Sequence, residues 1–110
     1  MKKLLVAASS ILLALQPGVA AAQTIHDNKV LLDLHEDGAR PCALFRLQGV
    51  TSADPVTGTE WFALPRTHLA FSELFAMLLT AAALNRPIYV STKGTLSCGF
   101  AAVDAVLIKS

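Results

Sequence analysis

Apolar and polar positions change their spacing along this chain, and each change marks an expected element. Leu4 to Leu15 is a mostly apolar run behind Lys2 and Lys3, broken by Pro17-Gly18. From residue 23 onward the apolar stretches become short. Lys29 to His35 (KVLLDLH) has β-compatible residues and ends at Glu36-Asp37-Gly38, a turn signal. Cys42 to Gln48 (CALFRLQ) follows Pro41 and alternates: Cys42, Leu44, Arg46 and Gln48 share one face, Ala43, Phe45 and Leu47 the other. Gly49 to Thr59 is a loop by composition, with Asp54-Pro55 and Thr57-Gly58 as turn elements, and Glu60 to Leu64 is a short strand closed by Pro65.

Ala70 to Leu84 (AFSELFAMLLTAAAL) contains no Gly or Pro and consists largely of good helix formers. Thr67 is a possible cap for an early start, and Asn85 with Pro87 marks the stop. At the helical period Phe71, Leu74, Phe75, Leu78, Leu79, Ala81 and Ala82 form one broad apolar face. Ser72, Glu73, Ala76, Met77, Thr80, Ala83 and Leu84 lie opposite, small and nearly uncharged. Two readings of that face are open: burial within the same domain, or contact with a neighbouring subunit through Ala76, Met77, Thr80 and Ala83. Arg86 to Lys93 is the next strand, Gly94-Thr95 a turn, and Leu96 to Lys109 a long final strand with a bulge at Gly99. The expected order is β-β-β-α-β-β, an α+β but mostly β domain. It fits a five-stranded OB-like barrel with the helix between strands three and four.

The amino terminus changes the picture of the whole. A basic start, an apolar run and small residues at Ala20 and Ala22 make residues 1–22 a signal peptide with cleavage before Gln23. The run is short for a bilayer span, and no Cys stands at the cleavage point for a lipid anchor. The expected product is one domain, 23–110, exported to the periplasm or medium of a Gram-negative-type bacterium. Two of the nine Lys/Arg fall in the leader. Seven then remain against eight Asp/Glu, and the formal charge moves from +1 to −1. That balance offers nothing to nucleic acid. The two cysteines, Cys42 and Cys98, lack CxxC spacing. In an oxidising compartment they read as one disulfide, worth about 4 kcal/mol on chain-entropy grounds, with two separate buried thiols as the rival reading.

The segment from Trp61 to Ile108 runs through an aromatic strand, a Leu/Ala helix, a strand opening after Pro87, a Gly-Thr pair and then Cys98. In this it resembles the B subunits of subtilase cytotoxin and of pertussis-like toxins, and VLLDLH followed by PCALFRL is similar to their first two strands. The resemblance implies an OB-fold pentamer that binds glycans. It does not extend to sialic acid. The serine that meets the sialate carboxylate in those subunits aligns with Asp27, an acceptor-only carboxylate that would repel it.

Catalytic patterns are missing. His26, His35 and His68 lack the spacing of a zinc site and read as surface loop histidines, no GxSxG elbow exists, and no metal or cofactor is expected. Trp61, Arg66 and Tyr89 are the candidate ligand-binding residues. Core packing competes for Trp61, and a solvated loop charge competes for Arg66. The leading expectation is a non-enzymatic binding module, oligomeric, with a glycan or secreted protein as partner. A monomeric periplasmic interaction or inhibitor module is the alternative.

Overall fold

The computed structural model describes residues 23–36, 38–55 and 58–109. The predicted leader, residues 1–22, lies outside the described residues, as do Asp37 and Thr57 of the predicted turns. The chain forms β1 (Ile25–Lys29), β2 (Leu31–His35), β3 (Cys42–Leu47), β4 (Phe62–Pro65), α1 (Phe71–Leu84), β5 (Ile88–Ser97) and β6 (Phe100–Ile108). All strands belong to one sheet in the order β1-β5-β6-β4-β3-β2. Neighbours run antiparallel except β4 and β6, which are parallel. The mostly β class, with one helix among the described residues, matches expectation.

The five-stranded closed barrel does not: among the described residues the strands number six and the sheet is open, with the helix between the fourth and fifth strands. The reason lies in the first strand. Its predicted span is preceded by Ile25–Lys29, a polar segment that becomes a strand only by pairing with β5. Asn28 adopts a left-handed conformation (φ 58°), which Asn tolerates better than most residues. It lies inside β1, where the β1–β5 register shifts between His26 and Lys29; the run breaks at Val30, and the two pieces take different partners: β1 pairs with β5, β2 with β3.

A second correction exchanges two glycine roles. Gly94-Thr95 is not a turn; β5 continues through both residues to Ser97. Gly94 (φ 81°) lies where the β5–β6 register shifts between Thr92 and Leu96, so it serves a bulge. The hairpin turns instead at Cys98-Gly99, with φ of 54° and 83°. Two successive residues with positive φ match the right-handed twist of the flanking strands.

The alternation read in β3 divides the molecule into two layers. Ala43, Phe45 and Leu47 enter the main core with Phe62, Leu64, Leu78, Ile88, Val90, Val103 and Val106. Phe45 and Phe62 stack with centroids 5.0 Å apart. On the other face, Cys42, Leu44 and Ala63 form a smaller buried cluster against Trp61 and Phe100. The disulfide expected from the sequence joins Cys42 to Cys98, with Cα atoms 6.5 Å apart. It ties β3 to the β5–β6 turn on this second face.

Helix α1 covers the main core with Leu74, Leu78 and Ala81, supported by partly buried Phe71, Phe75 and Met77. Its inward arc is centred between Leu74 and Leu78 and is rotated from the predicted one. Met77, expected on the outer side, packs against the core, whereas Leu79 and Ala82, expected inside, face solvent. Thr67 does not cap the helix. No side chain caps it; just ahead of the helix the Ala70 amide donates to His68 Nδ1 (3.0 Å) and the Phe71 amide to the His68 carbonyl (3.0 Å). Asn85 ends the helix in the left-handed conformation, and the Arg86 amide reaches back to the Ala81 carbonyl at 2.9 Å.

Candidate binding site

The three residues singled out as ligand-binding do not converge. Trp61 precedes β4, Arg66 follows it, and the Ala101 amide donates to the Trp61 carbonyl. Tyr89 pairs with Leu107, six residues further along β6, about 20 Å of extended strand away. Trp61 and Arg66 each have a local role.

Trp61 is half-buried and already engaged. The Arg46 guanidinium lies 4.8 Å above its ring, His35 meets it edge-on at 5.6 Å, and Phe100 lies at 6.4 Å. Arg46 is held there by carboxylates on both sides. Its Nε and Nη2 donate to the two oxygens of Asp33 (3.1 and 2.6 Å), and Nη1 donates to Glu60 (3.0 Å). These hydrogen bonds, that to Asp33 foremost, push the guanidinium further into its charged form. The Arg46 hydrogen bond in turn holds the Asp33 carboxyl below its ordinary value, against a smaller opposing effect of burial. A ring with an arginine over it and a disulfide cluster beside it is not an open stacking platform.

Arg66 is ion-paired to Glu36 and lies 5.5 Å over the Phe71 ring, and its Nε donates to the Arg40 carbonyl at 3.4 Å. It ties the β2–β3 turn to the start of α1. Two of the histidines also differ from surface loop residues. His26 sits in β1, donates through Nε2 to the Ala53 carbonyl at 2.7 Å, and packs edge-on against Phe62. His68 uses both ring nitrogens: Nδ1 accepts from Ala70, and Nε2 donates to the Asp104 carbonyl at 2.9 Å. In that pair of bonds Nε2 is the donor and Nδ1 the acceptor.

A concavity appears where none was expected. A pocket of about 310 Å³ opens between the loop that leads into α1 and the outward faces of β5 and β6. Pro65, Thr67, His68 and Leu69 form one wall; Lys93, Thr95 and Ser97 of β5 face Ala102 and Asp104 of β6. Leu69 stands at its edge, 100% exposed. The polar alternation Lys93, Thr95, Ser97 was readable in the sequence only if β5 continued through Gly94. Ending the strand at Lys93 hid it.

No protein-family model matches the chain, and no curated protein does. Among the described residues no three His, Cys, Asp or Glu side chains gather as a metal site, and no helix is long and apolar enough to cross a membrane.

Proposed function

We propose that this chain is an exported, disulfide-stapled binding module of the toxin B-subunit type. In this reading it assembles with copies of itself and engages a glycan or a secreted protein without catalysing a reaction. The observation that carries the proposal is the outer side of α1. Ser72, Glu73, Ala76, Leu79, Thr80, Ala82, Ala83 and Leu84 are exposed there, with Glu73 as the one charge in the set. Leu79 and Leu84 are 49% and 61% exposed. A helix face so poor in charge is costly in water and suits the matching face of a second copy, because the alanines allow close approach. Of the four expected contact residues, Ala76, Thr80 and Ala83 are on this side, while Met77 is turned toward the core.

Light scattering on the eluting protein, at high micromolar concentration, tests the assembly. An oligomer that Leu79→Lys dissociates supports it; a clean monomer overturns it. A glycan array on the same sample tests the ligand class. The fully exposed Leu69 favours a second reading, a monomeric module that anchors a protein partner through this loop. That reading predicts a monomer whose partner binding is lost in Leu69→Ser.

A further inference from the structure

We propose that the pocket beside Leu69 binds one ring of an uncharged, hydroxyl-rich ligand, a neutral saccharide unit. This inference rests on the reading of the chain as a binding module and names where and what it binds. Two of the six polar side chains around the pocket are already used. Both His68 nitrogens are bonded, and Asp104 accepts from Gln23 Nε2 at 3.0 Å through one carboxylate oxygen. Four groups stand apart. The hydroxyls of Thr67, Thr95 and Ser97 make no hydrogen bond to another described residue, and Lys93 meets no carboxylate at ion-pair distance among them.

The charge of the lining decides the class of ligand. Lys93 is cationic and Asp104 anionic, and both ring nitrogens of His68 are already bonded to the backbone. An anionic ligand gains Lys93 but faces Asp104; a cationic ligand meets the reverse. A neutral hydroxyl uses both, because it donates to the free lone pairs of Asp104 and accepts from the Lys93 ammonium. The threonine and serine hydroxyls can complete either role for neighbouring ligand hydroxyls. Pro65 and Ala102 supply an apolar floor, and Leu69 a rim, for the C–H side of a sugar ring. The volume lies at the lower end of small-molecule sites, which suits a single ring and not an extended chain.

The test is a titration of the purified protein, followed by backbone amide shifts. The probes are galactose, glucose, mannose and N-acetylglucosamine, with glucuronate and N-acetylneuraminate as anionic arms. Saturable shifts centred on Lys93, Thr95, Ser97 and Asp104 with at least one neutral sugar are expected. The Thr95→Ala/Ser97→Ala double variant should then weaken binding by about tenfold, as should Lys93→Ala, without a change in melting temperature. These side chains are surface groups without internal partners, so the variants should fold. Saturation by the acids alone overturns the assignment of a neutral ligand. Silence toward all six sugars, or binding that the variants leave intact, overturns the pocket. The module reading fails separately. Glycan-array binding that persists in the double variant removes this pocket and leaves the module, whereas a monomer that binds no glycan and no protein removes both.

Discussion

The two faces of the sheet are held by different forces. The inner face is closed by α1 and by side chains such as Phe45, Phe62, Leu78 and Val103, each fully buried. Burial of apolar surface accounts for its cohesion. No helix among the described residues covers the outer face. There Cys42, Leu44 and Ala63 are covered by Trp61 and Phe100, by the Arg46–Asp33–Glu60 network, and by a covalent bridge. Among the described residues a staple and charged side chains close this second face in place of secondary structure. The outer face is consequently where polar groups remain available and where the pocket lies.

Substitutions on the two faces should separate this division clearly. Phe62→Ala removes a ring that touches Phe45 and His26 in the main core, and should cost about 3–5 kcal/mol in urea unfolding, enough to unfold much of a marginal domain. Leu78→Ala should cost slightly less. The double variant Cys42→Ala/Cys98→Ala should lose about 2–4 kcal/mol. The second measurement is fluorescence from Trp61, the sole tryptophan, which sits in the outer cluster. Its emission in the folded protein should change when the bridge is removed and stay unchanged in Leu78→Ala. Equal changes in both would show that the two clusters behave as one.

The inner face was largely legible in the sequence, and the outer face only in its disulfide and the alternation of β3. β3 revealed its two sides because Ala43, Phe45 and Leu47 alternate with Cys42, Leu44 and Arg46, and the pairing of Cys42 with Cys98 followed from compartment and count. The helix ended where Asn85 and Pro87 placed it. What escaped depended on partners distant in sequence. Ile25–Lys29 has no apolar alternation, and it is a strand only because β5 lies beside it. A glycine marks either a turn or a bulge, and only the β5–β6 register distinguishes Gly94 from Gly99. The pocket depends on that same register, so it could not be seen before the strand was extended. Arg66 and Trp61 stood out as residue types, but their neighbours Glu36 and Arg46 come from other strands and loops.

His68 joins the two faces, and its loss should have an intermediate effect. The ring spans from the Asp104 carbonyl on β6 to the Ala70 amide at the start of α1. His68→Ala leaves both groups without that partner and should cost about 1–2 kcal/mol. Hydrogen exchange should quicken at Ala70 and Phe71 while the amides of β3 stay protected. Uniform acceleration across the sheet would mean that α1 and the sheet open together, and the division into two faces would not describe the dynamics.

The smallest effect should come from acid, and it bears on the outer face alone. Arg46 holds the Asp33 carboxyl below its ordinary value of 3.8 in the folded chain. A carboxyl with a lowered folded value binds its proton more readily when unfolded, so the pair contributes its full stability above the unfolded value. That contribution fades as pH falls through the folded value. Asp33 and Arg46 are both partly exposed, so solvent screens the pair and the contribution is modest. Asp33→Asn should therefore be slightly less stable than the parent near neutral pH, and the gap should close as pH falls below about 4. Added salt should narrow the same gap at neutral pH by screening the pair. Trp61 emission should follow the protonation, because Arg46 is released from one of its two carboxylates and can leave the ring. If the gap persists unchanged to low pH, Asp33 supports the outer cluster by packing and not by charge. The network over Trp61 would then be held by the disulfide and Glu60 alone.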